Sequence, residues 1–175
     1  ASSIGDEPFQ FYSKFPNIQV AVDVNRKNGI ENLLQHPNRP DVILLDDAYQ
    51  HRKVKAGFYI LLTAYDDLFC DDYILPFGNL REPSSGKKRA DMIIVTKCPN
   101  DLSEIAQQKI REKLKVKQQV FFTTIQYDDY VFGNESKLLV SEIQSETKVL
   151  VAGIAKPKLF FDFLKNETDE ALVFQ

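Results

Sequence analysis

Short apolar runs alternate along this chain with segments of helical pattern, and this alternation limits the fold more than any other feature of the sequence. Every residue at positions 42–45 is apolar, which is typical of a strand buried on both faces. Strands are also predicted at residues 18–24, 58–62, 92–95, 120–124 and 149–152. Helices are predicted to start at residues 6–8 and to occupy residues 29–35, 102–115 and 158–165. The fold class is therefore α/β, with a mostly parallel sheet, flanking helices and ligand sites at the carboxyl ends of the strands.

The sequence contains no repeat, low-complexity tract or linker, so we expect residues 1–175 to form a single α/β domain. Within it, residues 126–140 predict a β-hairpin excursion, because they combine aspartate, tyrosine and glycine between two apolar runs. The first residue is Ala1 rather than methionine. We therefore expect a further segment upstream.

The composition restricts the partners. A net charge of -3 gives no overall attraction to nucleic acid, which we do not expect as a partner. The 2 cysteines, Cys70 and Cys98, lack the spacing of a zinc site or a disulfide framework, which favours a reducing cytosol. No apolar run approaches the roughly 20 residues that span a bilayer, so this piece is expected to be soluble.

The acidic pair Asp46 and Asp47 directly follows the apolar run at 42–45. Adjacent carboxylates repel each other, and a hard divalent cation with oxygen ligands offsets that repulsion. In phosphoryl-transfer enzymes, an aspartate at such a strand end holds Mg²⁺ beside the nucleotide phosphates. A solvated turn in which Asp47 caps the following segment explains the same residues. Both interpretations stay open on local pattern alone.

The segment Gly5-Asp6-Glu7-Pro8 has the pattern of a helix start, with acidic residues at the positive end of the dipole. The functional alternative is that Asp6 accepts a proton from an attacking hydroxyl. A helix N-terminus stabilises the carboxylate and weakens it as a base. A neighbouring group would have to assist it.

The loop at residues 75–83 presents Arg81 beside Glu82 between two prolines. Arginine suits phosphate recognition because its planar fork makes paired hydrogen bonds. An Arg–Glu surface pair is the simpler interpretation. The basic run at residues 87–89 is interpreted as a solvated face, with contact to anionic headgroups as the alternative.

Four motifs occur together in this order: Gly5-Asp6-Glu7-Pro8; Asp46-Asp47-Ala48-Tyr49-Gln50-His51-Arg52; Leu75-Pro76 followed by Gly78-Asn79-Leu80-Arg81-Glu82-Pro83; and Gly153-Ile154-Ala155 with Pro157. Each motif is weak by itself. Their order and spacing extend over nearly the whole chain, and the chain thereby resembles the tetraacyldisaccharide 4'-kinase (lipid A 4'-kinase) family.

The resemblance implies a P-loop NTPase-like kinase that uses ATP and Mg²⁺. It would transfer the γ-phosphate of ATP to the 4'-hydroxyl of tetraacyldisaccharide 1-phosphate, an acylated disaccharide phosphate lipid, and so make lipid IVA in lipid A biosynthesis. The parent enzyme would act at the cytoplasmic face of the bacterial inner membrane, through parts outside this chain. Residues 1–175 would be a partial kinase core.

The resemblance also implies roles for individual residues. Asp6 matches the catalytic acid–base residue, and Asp46 and Asp47 match a magnesium-binding pair in a Walker B-like position. The remaining matched positions line the site for the disaccharide head group: Glu7, Arg26, Gln50, His51, Arg81 and Glu82.

The sequence departs from the family pattern at three points. No G-x-x-x-x-G-K-[ST] motif occurs, so the Walker A loop is absent from this chain, which also ends before the downstream motif whose histidine the family pairs with this aspartate. We therefore expect the piece to be inactive alone. Ala48 stands where glycine is common in the family, and we expect a negative φ there because alanine is strained at positive φ.

Two rival functions remain. One is another P-loop-like phosphotransferase, and the other is a non-enzymatic α/β binding domain whose acidic residues serve solubility and helix capping. The kinase interpretation predicts that Asp6, Asp46 and Asp47 gather at one end of the sheet near Arg81.

Overall fold

The computed structural model describes residues 5–133, 137–154, 157–165 and 170–173. The chain divides into two compact units, Ala1–Thr124 and Ile125–Gln175. The two units share no sheet, and each has its own buried apolar cluster within the described residues. The single domain expected over residues 1–175 stays a prediction.

The first unit begins with two helices near their predicted positions. Helix α1, Asp6–Lys14, starts after Gly5, whose φ of 85° only glycine adopts readily, and carries its acidic residues in the first turn. Helix α2, Arg26–Gln35, is capped by the Asn25 side chain, which accepts a hydrogen bond from a backbone N–H of the first turn. The predicted start of α1 at residues 6–8 and the predicted end of α2 near residue 36 are confirmed, whereas α2 begins at Arg26, before the predicted range 29–35.

A parallel sheet with the order β1-β2-β3 forms the centre of this unit. Its strands are β1, Ile60–Ala64; β2, Met92–Thr96; and β3, Gln119–Phe122. Helix α3, Glu104–Leu114, connects β2 to β3 and is capped by the Ser103 side chain. Parallel neighbours need such a crossover, so the sheet and its helices confirm the α/β class.

The core of the first unit lies on one face of this sheet. Leu61, Ile93 and Val120 are in register across the strands, and the latter two are buried with Val95 and Leu114. Ile93, Val95 and Leu114 are each 0% exposed. Alternate residues point to the opposite face, where Leu62 remains 60% exposed.

The strands predicted at residues 18–24 and 42–45 are absent from the described part of the chain, and both predictions are wrong. The side chains of Val42 and Leu44 are 72% and 90% exposed, and Val24 is fully exposed. A strand exists only when a neighbour completes its ladder of hydrogen bonds and its apolar faces are covered. Here both segments lack a ladder partner among the described residues. Their apolar composition therefore predicted strands that do not form.

The described residues of the second unit form two small sheets and two helices. Strands β4, Tyr130–Phe132, and β5, Lys137–Leu139, pair antiparallel within the hairpin region predicted at 126–140, whose residues 134–136 lie outside the described residues. Helix α4, Val140–Ser145, was not predicted. Strands β6, Val149–Ala152, and β7, Glu170–Val173, pair in parallel, with helix α5, Lys158–Leu164, between them in the chain.

The buried cluster of the second unit joins its helices to β6. Its members are Val140, Leu150, Ala152, Phe161 and Leu164. Ala155, part of the last family motif, lies outside the described residues. No helix in the described residues is long and apolar enough to cross a membrane.

Candidate functional site

The acidic pair lies in a tight turn rather than at a strand end. The Asp46 carboxylate accepts a hydrogen bond from the backbone N–H of Asp47 at 2.9 Å. Asp47 adopts a φ of 41°, whereas Ala48 is not among the residues of positive φ. The expectation of a negative φ at Ala48 is confirmed, and the left-handed position is taken by aspartate, which tolerates it better than most residues.

The loop that presents Arg81 is built around the Asp72 carboxylate. Asp72 accepts hydrogen bonds from the backbone N–H groups of Tyr73, at 2.7 Å, and Asn79, at 3.0 Å. These two donors hold the pKa of Asp72 below its usual value. Leu80 donates back to the Tyr73 carbonyl at 3.0 Å, which closes the loop. Position 78 needs glycine, because a Cβ there would lie 2.2 Å from an Asp72 carboxylate oxygen.

Arg81 reaches the acidic turn from this loop. Its Nη1 lies 3.3 Å from Asp47 Oδ2, and both side chains are largely exposed. The structure thus brings one predicted magnesium ligand and one predicted phosphate-binding residue together. Within the described residues there is no group of three or more His, Cys, Asp or Glu side chains that could hold a metal ion.

Glu82 does not pair with its neighbour Arg81, so the Arg–Glu surface pair considered for this loop is wrong. Its Oε1 accepts a hydrogen bond from Arg89 at 2.7 Å, and its Oε2 accepts one from Arg52 at 2.9 Å. The Glu82 side chain is only 17% exposed. The hydrogen bond from Arg89, supported by Arg52, holds the pKa of Glu82 below its usual value despite partial burial.

The basic run at residues 87–89 is not simply a solvated face, which corrects the sequence interpretation. Arg89 is 29% exposed and forms the ion pair with Glu82. Lys87 donates to the Leu114 carbonyl at 2.7 Å. Both side chains, from the last turn of the 3₁₀ helix Ser84–Arg89, therefore make structural contacts.

Tyr49 connects the acidic turn to this 3₁₀ helix. Its hydroxyl donates to the Gly86 carbonyl at 2.8 Å, and its own carbonyl accepts from Arg89 at 3.1 Å. The Arg89 guanidinium also lies 4.6 Å from the centre of the Tyr49 ring, a cation–π contact. Burial raises the pKa of the Tyr49 hydroxyl, so it remains a neutral donor.

A basic cavity of about 440 Å³ lies between the start of α2 and the segment after Tyr49. Its lining residues are Val24, Asn25, Arg26, Lys27, Gln50, His51, Arg52, Lys53 and Val54. Three residues predicted to line the head-group site, Arg26, Gln50 and His51, therefore share one cavity. No acidic side chain belongs to this lining. The first backbone N–H groups of α2 add positive potential, as helix N-termini do.

Sequence reasoning missed the cationic residues Lys27, Arg52 and Lys53 in this cavity. Arg52 ends a family motif and Lys27 follows Arg26, so adjacency to matched residues was the available signal. Adjacency in the sequence could not have shown that two segments about 25 positions apart meet around one cavity.

Asp6 and Glu7 stand apart from these contacts. Both lie exposed in the first turn of α1. Within the described part of the chain, neither forms a hydrogen bond or ion pair with Asp46, Asp47 or Arg81. The predicted gathering of Asp6 with the acidic pair stays a prediction.

The fold is α/β, and the cavity carries the charge of a site for an anionic ligand. The family model described as tetraacyldisaccharide-1-P 4'-kinase matches residues 1–173. The chain belongs to this family.

Named relatives agree with this assignment. The tetraacyldisaccharide 4'-kinase of Flavobacterium johnsoniae is 63% identical over 176 residues, covering 99% of this chain and 52% of that protein. The enzyme of the same name from Flavobacterium psychrophilum is 63% identical, with 99% and 52% covered, and that from Bacteroides fragilis is 49% identical, with 96% and 47% covered. The chain thus spans about half the length of the curated relatives it matches. No solved structure matches it.

Proposed function

We propose that this chain is part of a kinase that transfers the γ-phosphate of ATP to the 4'-hydroxyl of tetraacyldisaccharide 1-phosphate, giving lipid IVA in lipid A biosynthesis. The observation that carries the proposal is the basic cavity, where Arg26, Gln50 and His51 meet. The acceptor is an anion with many hydroxyl groups. Cationic and amide side chains around one cavity are suited to bind such a head group.

The phosphate of the acceptor would occupy this cavity. Arg26 and Arg52 supply forked donors, and Lys27 and Lys53 supply point charges at its wall. Gln50 and His51 supply amide and imidazole groups suited to hydrogen bonds with sugar hydroxyls. The bound lipid would be held at the cytoplasmic face of the inner membrane, with no nucleic acid involved.

Asp46 and Asp47 would hold Mg²⁺. The pair fits such an ion because both carboxylates are exposed, and protein-bound Mg²⁺ uses one or two carboxylates together with waters and substrate phosphates. Bound Mg²⁺ would offset negative charge on the nucleotide phosphates. Arg81, beside Asp47, would bind a phosphate oxygen once the ion takes over part of its partner's charge.

Asp6 would accept the proton of the attacking hydroxyl. It lies in the first turn of α1, at the positive end of the helix dipole, so a neighbouring group would have to assist the proton transfer. The P-loop NTPase-like fold expected for the family would supply the ATP site through a Walker A loop, which these 175 residues do not contain. We therefore expect the chain by itself to be inactive.

The test is ATP-dependent phosphorylation of tetraacyldisaccharide 1-phosphate by the full-length protein that contains this chain. Arg26→Ala and His51→Ala should raise the KM for the acceptor while leaving the KM for ATP unchanged. Lys109→Ala removes the same kind of charge from the exposed side of α3 and serves as the control. A folded parent that phosphorylates a different acceptor would support another P-loop-like phosphotransferase. If the acceptor KM is unchanged in both variants, the cavity is not part of the acceptor site.

A further inference from the structure

Glu82 lies between two arginines of unequal exposure. We propose that Glu82 is a positioning residue that holds Arg52 at the wall of the basic cavity, and that the Glu82 carboxylate does not itself contact the acceptor phosphate. This inference rests on the proposed function for its enzymatic readout.

Each oxygen of the Glu82 carboxylate is already hydrogen-bonded to an arginine. Oε1 is engaged by Arg89 and Oε2 by Arg52, at 2.7 and 2.9 Å. With its pKa held below the usual value, Glu82 is charged at neutral pH and repels a phosphate. A direct contact between this carboxylate and the acceptor phosphate would therefore oppose binding.

The two arginines have different roles in this arrangement. Arg89 is fixed on three sides, by Glu82, by the Tyr49 carbonyl at 3.1 Å and by the Tyr49 ring. Arg52 is 67% exposed and uses Nη2 for its bond to Glu82. A guanidinium has five N–H donors, so Arg52 keeps donors for a ligand. Arg89 is the anchor, Glu82 the bridge and Arg52 the presented cation.

Holding Arg52 in place matters because a long exposed side chain otherwise samples many rotamers. A side chain already fixed in its binding conformation loses less freedom when the ligand arrives. Arg52 lines the cavity beside Gln50 and His51, while Glu82 does not. Glu82 therefore influences the cavity through Arg52.

Gly86 offers a way to move the Glu82 carboxylate without changing any charge. A Cβ at Gly86 would lie 2.8 Å from both Cδ and Oε2 of Glu82, and Oε2 is the oxygen that binds Arg52. Gly86→Ala should therefore displace the carboxylate from Arg52, although the added Cβ would also lie 3.2 Å from Arg89 Nη1. At Gly57 an added Cβ meets nothing within 4 Å, so Gly57→Ala is the matched control.

The experiment is a double-mutant cycle in the full-length protein. Glu82→Gln, Arg52→Ala and the double variant are assayed for kcat and for the KM of acceptor and ATP. Glu82→Gln and Gly86→Ala should each raise the acceptor KM about tenfold, with the KM for ATP unchanged and Gly57→Ala like the wild type. In the Arg52→Ala background, Glu82→Gln should have little further effect.

Independent effects of the two substitutions would overturn the proposal, because they would mean that Glu82 acts on the acceptor by another route. If Glu82→Gln does not fold, Gly86→Ala decides: an unchanged acceptor KM rejects the positioning role.

A second readout separates this inference from the proposed function. Inorganic phosphate is titrated while the Arg52 guanidinium resonances are followed, and Glu82→Gln should weaken that response even if the natural acceptor is a different phosphate ester. An equal response in both proteins contradicts the inference.

Discussion

Arg81 Nη1 lies 3.3 Å from Asp47 Oδ2, although the two residues are 34 positions apart in the chain. Their side chains are 64% and 72% exposed. An ion pair this exposed stabilises a fold by about 0–1 kcal/mol. The contact is therefore weak as a structural support, and it leaves both groups accessible to a ligand.

Replacing Arg81 should separate activity from stability. We expect Arg81→Ala to change the free energy of unfolding by about 0.5 kcal/mol or less and to lower kcat/KM of the full-length kinase at least about tenfold. Arg81→Lys should restore little activity because lysine lacks the planar fork. Denaturant titration and initial rates measure both quantities. Arg39→Ala, another exposed arginine, is the control, and equal activities in the two variants would argue against a role for Arg81.

Asp47 allows the backbone and the charge of the acidic turn to be tested separately. At a φ of 41°, Asp47→Ala should cost about 1 kcal/mol of stability, because alanine is disfavoured in the left-handed region. Asp47→Asn keeps a side chain that tolerates this region and should leave stability nearly unchanged. If Asp47 holds Mg²⁺, both variants should need more magnesium for half-maximal rate in the full-length protein. Normal magnesium dependence in Asp47→Asn would contradict the metal assignment.

Gly78 supports the loop that carries Arg81, and its replacement should damage that loop. A Cβ at this position would lie 2.3 Å from the Tyr73 carbonyl oxygen and 2.7 Å from the Tyr73 nitrogen, and backbone atoms cannot rotate away as side chains can. We expect Gly78→Ala to lower the free energy of unfolding by about 1–3 kcal/mol. Gly57→Ala should be neutral or slightly stabilising. Similar stability in the two variants would show that the loop adapts more easily than its contacts suggest.

The sequence was informative where a pattern reports local structure. Helix α2 ends before Pro37 as predicted, and β2 and β3 form where apolar runs indicated strands. It was misleading at residues 42–45, because an apolar run shows a need for burial without showing what provides it. The described residues supply no ladder partner for that run, and Leu44 stays exposed.

The sequence identified candidate site residues one by one, but not the contacts between their side chains. Arg81 and Glu82 are adjacent, and pattern alone pairs them, yet one reaches Asp47 and the other reaches Arg52 and Arg89. Neighbours in sequence thus meet different partners. That pairing depends on the path of the loop after Gly78, which no local signal specifies.

The contribution of Glu82 to stability should depend on pH. Its pKa in the folded chain is lowered by Arg89 and Arg52, so the stabilisation is fully present above the unfolded-state pKa of about 4.3 and is lost as the pH falls through the lower folded-state pKa. At pH 7, Glu82→Gln should lower the free energy of unfolding by about 2 kcal/mol. That difference should shrink steadily once the pH falls below about 4.3.

Denaturant titrations of both proteins across this pH range measure the difference. Glu31→Gln is the control, because it removes only an exposed ion pair with Lys27. It should change the free energy of unfolding by a few tenths of a kcal/mol. A difference that stays constant down to strongly acidic pH would mean that the Glu82 charge does not stabilise the fold, and that its two arginines are held by other contacts.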